Sequence, residues 1–445
     1  MMQPAQGIEF SGSDYFLCVM DSIMRKAGIP NSRCRMLVEL DGQIDPEFFS
    51  KTLNSSPELQ WMVNVRQKKK LPFALPCWCS NGSRDMVPVA CHAMEGIYAR
   101  ENGNFLSFPS LVGQNETQSP LFFIFANSDD GRSTCILNWD HKLMDAQGAE
   151  ILMQHVARCF EKQENLESLL PLNGQNIDCR IPASSSFAKR LSYARKSTQY
   201  ILEVSEAPIA ALKPAGNDKE RADQFLTIRF SEEETRQIVA QCESMGLSYY
   251  HSLYYLAATT RALHAVRKQD MDEDVPYLVP VPLNLRKKGG RGPAFSNNVS
   301  FLFYRITPEE ITDFKTTINS LKNQMKNQVM QEIPHSYAEM MKILRRAPIP
   351  FYSWLLSGPT KGQLASFFFS YTGECCSEMD SFMGQKVREV THLAPATSIP
   401  GLSVVFMRHR TCLKAILSFR DALFGEKDRQ LFEEHLRMDL LPGKS

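Results

Sequence analysis

The stretch from Ser133 to Glu150, STCILNWDHKLMDAQGAE, places a histidine and an aspartate where a strand-like run meets a helix-like run. His141 ends the apolar run, and Asp145 follows four residues later. Histidine ionises near neutral pH, so its imidazole can take a proton from a hydroxyl, an amine or a thiol. Asp145 is suited to cap the following helix, to pair with an arginine, or both. The pattern therefore predicts a general base, His141, on a loop that Asp145 braces.

A hairpin and a helix are predicted to hold this loop. The run LFFIFANSDDGRSTCILNWD contains two β-rich segments joined by an Asp-Asp-Gly turn, which is typical of a hairpin. Because side chains alternate along a strand, Cys135, Leu137 and Trp139 share one face with the histidine. The run GAEILMQHVARCFEKQ has apolar residues at helical spacing, and Gly148 near its start permits a close backbone approach. The histidine is thus predicted to end a mostly apolar wall.

Both halves of the chain open with a strand followed by a helix. Residues 36–40 are predicted as a strand, Asp45 as the cap of helix PEFFSKTL, and WMVNVR as another strand. In the second half, strand FLTIRF precedes a helix capped by Ser231 and a nearly apolar, buried helix, SYYHSLYYLAATTRALHAVRK. Strands VPYLVPVPLNLR and NNVSFLFYRI follow. The hairpin LSVVFMRHRTCLKAILSFRDALF then precedes the final helix, EKDRQLFEEHLRMDLL.

The domain organisation follows from a change in composition along the chain. Residues 176–222 are polar, with Gly, Pro and Ser, and are predicted to be a crossover linker. Residues 1–175 would form an N-terminal half that carries the histidine motif, and residues 223–445 a C-terminal half. The predicted fold class is α/β (α+β), with two α/β sandwich halves.

Overall composition excludes several classes of function. A chain of 445 residues suits two domains or one pseudo-duplicated fold. Its net charge of +1 provides no general attraction to nucleic acid, so none is predicted as a partner. The start, MMQPAQGIEFSGSDYF, lacks the basic and apolar regions of a secretory signal, and no apolar run is long enough to span a bilayer. We therefore expect a cytoplasmic protein whose cysteines are reduced.

The cysteines do not form a convincing metal-binding pattern. Cys77 and Cys79 are followed by Cys91 and His92, whereas metal sites usually combine two ligand pairs with two to four residues between ligands. The adjacent pair at residues 375–376 has no partner set nearby in the sequence. No metal is predicted, and buried thiols are the simpler interpretation.

Three segments together resemble a known superfamily. HKLMD matches the His-x-x-x-Asp signature of chloramphenicol acetyltransferase-like proteins, and it lies near residue 140 between a hairpin strand and a helix, as in that superfamily. LVELDGQIDPEFFSKTLN is similar to its opening strand and helix, and VPVPLNLRKKGGRGPAFSNNVSF to a stretch of its second half. Members include wax ester synthase/diacylglycerol acyltransferases, plant BAHD acyltransferases, polyketide-associated acyltransferases and condensation domains. The resemblance implies two halves with an active-site tunnel between them.

The resemblance also implies a role for several residues. His141 would be the general base that deprotonates an acceptor for direct attack on a thioester. Asp145 would be structural, pointing away from the substrate and paired with Arg286 of NLRKK, and Asn298 would help to order the tunnel. Gly148 would give structural support.

A strand in FFFSYTGE lies where the superfamily lines its tunnel. There, Ser370 or Thr372 would donate a hydrogen bond to the tetrahedral oxyanion. Two positions depart from the common pattern: Asp140 replaces the first of two adjacent histidines, and Ala146 replaces the glycine after the aspartate. The plant members' Asp-Phe-Gly-Trp-Gly is also absent. The chain therefore fits no named subfamily.

These features predict an acyltransferase. It would move an acyl group from a thioester, with acyl-CoA as co-substrate, to a hydroxyl or amine of a small-molecule or lipid acceptor. No bound cofactor, metal or acyl-enzyme is required, which agrees with the lack of a Gly-x-Ser-x-Gly elbow. A carrier-protein-dependent condensation-type enzyme and a non-catalytic binding module are the alternatives.

Simpler interpretations of the same residues remain open. His141 could be a structural histidine between domains, and Asp145 only a helix cap. Arg286 begins the basic stretch RKKGGRGP, which could meet coenzyme A phosphates or simply be solvated. RQKKKLPFALPCW combines basic and aromatic residues, so it could contact anionic lipid peripherally or form a solvated loop. His251, on the buried helix, is expected to be a core histidine.

Overall fold

Two mixed β-sheets form the framework of the chain in the computed structural model. The structure describes residues 7–26, 33–69, 74–93, 105–107, 119–162, 168–171, 186–206, 208–212, 223–267, 275–286, 292–396, 401–420 and 424–443. The described helices are α1 (Gly12–Lys26), α2 (Pro46–Asn54), α3 (Pro57–Val63), α4 (Ala146–Phe160), α5 (Phe187–Val204), α6 (Glu232–Ser244), α7 (His251–Arg267), α8 (Pro308–Ile311), α9 (Phe314–Met330), α10 (Ile333–Leu344), α11 (Ile349–Ser357) and α12 (Glu426–Leu440). The described strands are β1 (Ile8–Glu9), β2 (Arg33–Leu40), β3 (Val65–Lys68), β4 (Cys77–Ser80), β5 (Val89–Ala93), β6 (Phe105–Ser107), β7 (Leu121–Asn127), β8 (Ser133–Asp140), β9 (Asp223–Arg229), β10 (Tyr277–Asn284), β11 (Val299–Ile306), β12 (Phe368–Glu374), β13 (Ser381–Phe382), β14 (Gln385–Leu393), β15 (Leu402–His409) and β16 (Cys412–Arg420).

Each of the two sheets contains strands from both halves of the sequence. The first sheet has the order β13-β14-β2-β8-β7-β5, and the second has the order β12-β15-β16-β9-β6. Strand β14 comes from the second half of the chain but pairs with β2, and β6 comes from the first half but pairs with β9. Strands β10 and β11 pair separately, and β3, β4 and β1 form a small third sheet.

Local sequence signals account for several of these elements. Strands β7 and β8 form the predicted antiparallel hairpin, and β15 and β16 form the second one. Asp45 caps α2 by accepting a hydrogen bond from the Glu47 backbone N–H at 2.9 Å. Ser231 and Glu234 form a reciprocal capping box at the start of α6. The predicted starts of these helices are confirmed.

Each sheet carries its own apolar core. In the first core, the Phe49 ring of α2 meets Phe123 and Phe125 of β7 edge to face, with centroids 5.3 and 4.6 Å apart. In the second core, Tyr255 of α7 stacks on Phe406 of β15 at 4.7 Å. Aromatic contacts of this kind add to the free energy gained by burying the rings. Each half therefore packs helices on a sheet, as the sandwich prediction requires.

The strand predicted for WMVNVR is wrong in its first four residues. Trp61 is in α3, and β3 begins only at Val65. Ser56 caps α3 by accepting from the Leu59 backbone N–H, and Pro57 occupies the first helical turn. These start signals favour a helix and override the β propensity of the apolar residues.

A helix lies within the predicted crossover linker. Helix α5 begins after Ser186, whose hydroxyl accepts from the Lys189 backbone N–H, and it packs on α10, where the Thr198 hydroxyl lies 3.4 Å from the Met340 sulfur. The domain boundaries at 175 and 222 stay predictions. Among the described helices, none is long and apolar enough to cross a membrane.

Candidate active site

The candidate histidine lies in the turn between β8 and α4. Strand β8 ends at Asp140, and the Leu143 backbone N–H donates to the Asp140 carbonyl at 2.8 Å to form the turn. Asp145 then caps α4, its Oδ1 accepting from the Gly148 backbone N–H at 2.9 Å. The predicted cap and the predicted position of His141 at a strand end are confirmed.

Asp145 is fixed from the other half of the molecule. Its Oδ2 accepts from Arg286 Nη1 at 2.6 Å and from the Asn298 backbone N–H at 3.0 Å, and the ion pair is buried. Arg286 Nη2 also approaches the carbonyls of Pro293 and Ser296 at 3.3 and 3.5 Å. Arg286 is therefore a buried partner of Asp145, and the interpretation of it as a solvated surface base is wrong.

Asn297 holds the backbone of the histidine turn. Its Nδ2 donates to the His141 carbonyl at 3.0 Å, to the Lys142 carbonyl at 3.3 Å and to Asp14 Oδ1 at 2.9 Å. Asp14 Oδ2 accepts from the Ser296 hydroxyl at 2.8 Å. Burial raises the pKa of Asp14, against the lowering effect of its hydrogen bonds. A three-element network of α1, the histidine turn and the start of β11 therefore positions His141.

Asn298 was predicted from the sequence as a site residue, whereas Asn297 and Asp14 were not. The amide oxygen and nitrogen of the Asn298 side chain are buried and have no hydrogen-bond partner among the described residues, so its contribution to Asp145 is its backbone N–H. Asp14 was recognisable locally, because it makes a reciprocal capping contact with Ser11 in a Ser-x-x-Asp pattern. Nothing in the sequence placed that cap beside residue 297.

Asp140, the residue before the histidine, forms an ion pair with Lys142. The Lys142 Nζ lies 2.9 Å from Asp21 Oδ2 and 3.1 Å from Asp140 Oδ2. Burial alone would lower the pKa of Lys142, but the two carboxylates outweigh it and raise that pKa. Asp140 thus belongs to a charged cluster that ties the histidine turn to α1.

A cavity of about 310 Å³ lies between the two halves. Its wall is formed by α1, the β8–α4 turn, β10, β11, β12, β14 and β15, and His141, Ser370 and Thr372 all contribute to it. Most of the wall is apolar, which is typical of sites for small organic ligands. The structure therefore brings the predicted base and both predicted oxyanion donors to one cavity.

Two polar atoms at this cavity are buried without a hydrogen-bond partner among the described residues. They are Nδ1 of His141 and Oγ1 of Thr372. Buried polar atoms are usually satisfied, so unpaired ones at a cavity wall are typical of functional sites. Ser370 and Thr372 are two residues apart on β12, and both line the cavity.

A second imidazole–carboxylate contact lies in the same wall. His392 of β14 and Glu150 of α4 are buried, and Nε2 of the imidazole is 3.2 Å from Oε1 of the carboxylate. Ligand atoms of Glu150, Cys375 and Cys376 lie within 4.8 Å of one another. Burial raises the pKa of the Cys375 thiol well above its ordinary value. The adjacent cysteines are evident in the sequence, but their proximity to Glu150 is evident only in the folded chain. The prediction that no metal is bound stays a prediction.

The other predicted features lie away from this cavity. The Cys77 and Cys79 sulfurs are 3.3 Å apart, and the described residues bring no further metal ligands to them. His251 is the first residue of α7 and is partly buried, and its ring lies 6.3 Å from that of the core residue Tyr255, so it packs at the margin of the second core. The basic stretch 287–291 and residues 70–73 of the basic-aromatic segment lie outside the described residues.

Comparison with known proteins gives a likeness in structure and none in sequence. No protein-family model matches the chain, and no curated protein matches it in sequence. The TRI3 trichothecene 15-O-acetyltransferase from Fusarium sporotrichioides is 11% identical, with 97% of this chain and 94% of that chain covered and a TM-score of 0.66. The first condensation domain of the CDA synthetase is 12% identical, with 98% and 96% covered and a TM-score of 0.63.

A third solved structure was determined with two ligands bound. The starter condensation domain of rhizomide synthetase, in complex with C8-CoA and Leu-SNAC, is 12% identical, with 98% of this chain and 94% of that chain covered and a TM-score of 0.59. All three likenesses extend over nearly the whole chain, so they concern both halves and their arrangement. The chain therefore has the two-lobed chloramphenicol acetyltransferase-like fold that acetyltransferases and condensation domains share.

Proposed function

We propose that the protein is an acyltransferase that moves an acyl group from acyl-CoA to a hydroxyl or amine acceptor, with His141 as general base. The observation that carries the proposal is the position of His141 at the wall of the cavity between the halves, on a turn fixed by Asn297 and by the Asp145–Arg286 pair. A base held in one geometry lowers the entropic cost of reaction.

The proposed reaction needs one proton acceptor and one oxyanion donor. Nδ1 of His141 has almost no accessible surface, so we assign Nε2 as the nitrogen that meets the substrate. It takes the proton from the acceptor while the acceptor oxygen or nitrogen forms a bond to the thioester carbon. The carbonyl oxygen becomes an oxyanion, for which the Thr372 hydroxyl, assisted by Ser370, is the donor.

Collapse of the tetrahedral intermediate completes the transfer. The carbonyl double bond re-forms, the carbon–sulfur bond breaks, and the electron pair leaves with the sulfur. The imidazolium of His141 then returns its proton to the thiolate, which releases free coenzyme A and restores the neutral base. Asp145 takes no part in this proton transfer, because both of its oxygens already accept hydrogen bonds from Gly148, Arg286 and Asn298.

The proposal also specifies the acyl donor and the acyl acceptor. Acyl-CoA is supported by the C8-CoA in the solved starter condensation domain of the same fold. A hydroxyl acceptor is supported by the 15-O-acetyltransferase of the same fold. An amine can lose its proton to the same base, so it belongs to the proposed acceptors.

Release of free coenzyme A tests the proposal. Wild type, His141→Ala and the matched control His251→Ala would each be mixed with a panel of acyl-CoAs and pooled alcohols and amines, and free thiol would be measured. We expect acceptor-dependent release that falls by about 10²–10⁴-fold in His141→Ala, the usual contribution of a general base. His251 is outside the cavity, so its variant should match wild type.

Other results would exclude parts of the proposal. Equal release from wild type and His141→Ala would mean that this imidazole is not the base. Release only from acylated carrier proteins would replace acyl-CoA by a carrier-protein donor. If no thioester reacts but ligands still bind in the cavity, the chain is a binding module.

A further inference from the structure

Helix α11 is apolar on the side that faces solvent. Its inner side, formed by Ile349, Tyr352 and Leu356 at helical spacing, packs on the first core. Its outer side carries Phe351 and Trp354, whose side chains are 50% and 65% exposed. A surface helix normally turns charged or polar residues to water, and α11 has none on this side.

The two exposed rings form one patch rather than isolated residues. The Phe351 and Trp354 centroids are 6.1 Å apart, and Pro350, which directly precedes Phe351, is exposed as well. Contiguous exposed apolar surface marks a site of contact with a partner or a membrane. Tryptophan is also the aromatic residue that favours the interface between lipid and water.

The sequence on both sides of α11 carries only positive charge. Residues 340–373 contain no aspartate or glutamate, whereas they contain Lys342, Arg345, Arg346 and Lys361. Arg346 and Lys361, which lie just before and just after the helix, are exposed. Two copies of such a surface would repel each other, so the charge disfavours self-association and favours an anionic surface.

A second basic segment lies near the same helix. Lys69 Nζ is 5.6 Å from the centre of the Tyr15 ring, and that ring is 6.3 Å from Tyr352 on the inner side of α11. Lys68 and Arg66 precede Lys69 and are exposed. Lys69 is therefore near the inner side of α11, although the two are far apart in the sequence.

Helix α11 also contacts the wall of the cavity. The Tyr352 ring is 6.5 Å from that of Phe16, and Phe16 lines the cavity from α1. A surface on which α11 rests would thus lie next to the α1 wall of the proposed active site.

We propose that α11, with its aromatic patch and the surrounding basic residues, docks the protein on an anionic lipid bilayer. Phe351 and Trp354 would enter the interfacial region, and Arg346, Lys361 and Lys69 would lie at the level of the anionic headgroups. The helix would lie in the plane of the interface, because its nine residues cannot span a bilayer. This proposal concerns a surface, so it stands independently of the reaction that the cavity performs.

Tryptophan fluorescence gives a direct test, because Trp354 is the exposed member of the four tryptophans. Trp61, Trp78 and Trp139 are buried in the first core. Addition of vesicles of phosphatidylcholine with phosphatidylserine should shift the emission to shorter wavelength, and brominated lipid should quench it. Neutral phosphatidylcholine vesicles should give a much smaller change. Trp354→Phe should still sediment with the vesicles but should lose the shift and the quenching.

Vesicle co-sedimentation of variants tests the patch itself. The double variant Phe351→Ser, Trp354→Ser should bind at least about tenfold more weakly, because it loses most of the apolar area. Arg346→Gln and Lys361→Gln should each weaken binding to anionic vesicles about fivefold. The matched control is Tyr249→Ser, which removes a 90% exposed aromatic residue ahead of α7 and should leave binding unchanged. Near-ultraviolet circular dichroism would verify that each variant is folded.

Three results would overturn the proposal. One is a Trp354 emission spectrum that does not respond to anionic vesicles. Another is vesicle binding that the Phe351→Ser, Trp354→Ser variant retains in full. The third is a wild-type dimer in light scattering that this same variant converts to monomer, because a second copy would then cover the patch.

Discussion

At the residue scale, two neighbouring asparagines contribute to the histidine turn in different ways. Asn297 uses its side-chain amide to hold the His141 and Lys142 carbonyls, whereas Asn298 uses only its backbone N–H, toward Asp145. The side chain of Asn298 is buried without a hydrogen-bond partner among the residues described. A buried, unsatisfied amide opposes folding, so its role differs from that of its neighbour.

This difference predicts that substitution by leucine is harmful at residue 297 and tolerated at residue 298. Asn297→Leu should lower the rate of the proposed acyl transfer about 10²-fold, because His141, the proposed base, loses its backbone restraint and small displacements of such a group are costly. Asn298→Leu has nearly the same shape and removes an unsatisfied amide, so it should leave the rate and the free energy of unfolding near wild type. Initial rates and urea unfolding of both variants check this. Equal loss in both variants would contradict the prediction.

The sequence predicted those site residues whose signal is local. His141 and Asp145 stand four residues apart next to a helix start, and the resemblance to a superfamily supplied Arg286. Asp14 and Asn297 were missed because they are 283 residues apart and meet only in the folded chain. Asn297 and Asn298 are also the same residue type, so the sequence does not distinguish their roles. Only the fold shows which side chain points toward the histidine turn.

At the element scale, the start of α4 lies directly against the segment that precedes β11. A Cβ added to Gly148 would lie 2.2 Å from the Ala294 carbonyl oxygen and 2.8 Å from the Met144 Cβ. Both contacts are much shorter than van der Waals distances, and the carbonyl oxygen belongs to a backbone that cannot easily move. The expectation that Gly148 permits a close backbone approach is therefore confirmed.

The contact predicts that even the smallest side chain is harmful at this position. Gly148→Ala should destabilise the fold by about 2–3 kcal/mol and reduce acyl transfer, since α4 and the Asp145 cap must move. Ala146→Gly, two residues earlier in the same helix, should cost only about 0.5–1 kcal/mol through chain entropy. Thermal unfolding of both variants measures the difference. A Gly148→Ala protein as stable as wild type would show that the two elements are less tightly packed.

Helix caps and hairpins were predictable because their signals lie within a few residues. The Ser231 box and the β7–β8 hairpin are examples. The strand predicted at WMVNVR is wrong because its apolar residues follow the Ser56 cap and Pro57, which together start helix α3. Helix α5 was missed in a polar stretch because it buries little apolar surface and is held mainly by packing on α10.

At the scale of the whole molecule, the halves are not independent along the sequence. Strand β14 extends the first sheet beside β2, and its Val387, Val390 and Leu393 are buried in the first core. The domain boundary was predicted from composition, and composition does not indicate which sheet a strand joins. Strand pairing across such a distance depends on the tertiary structure.

This exchange predicts that the two halves fold only together. A fragment of residues 1–222 would expose the edge of β2 and lose the apolar side chains of β14, so it should aggregate when expressed alone. Co-expression with residues 223–445 should restore a soluble complex. Size-exclusion chromatography checks both statements. A monomeric fragment 1–222 with cooperative unfolding would contradict the prediction.

An ion cluster joins the two sheets where β14 approaches β9 and β16. Glu389 of β14 contacts both Lys414 and Arg229, with the Arg229 Nε at 3.2 Å. Burial alone would raise the pKa of Glu389, but the two cations outweigh it and lower that pKa to about 2. Lys414 is buried and also donates to the Val390 carbonyl at 2.9 Å, so it depends on β14 for its partners.

The lowered pKa predicts how the stability of the whole molecule depends on pH. Glu389 ionises near pH 4.3 in the unfolded chain, so its contribution is complete above about pH 5 and is lost as the pH falls toward 2. Glu389→Gln should therefore lower the free energy of unfolding by about 2–3 kcal/mol at pH 7, and the difference from wild type should shrink steadily between pH 5 and 3. Asp380→Asn, which removes an exposed carboxylate 3.1 Å from Arg410, should behave like wild type at every pH. Urea titrations of the three proteins at several pH values supply the measurement. A Glu389→Gln deficit that is the same at pH 7 and pH 3 would mean that Glu389 stabilises the junction by packing rather than by its charge.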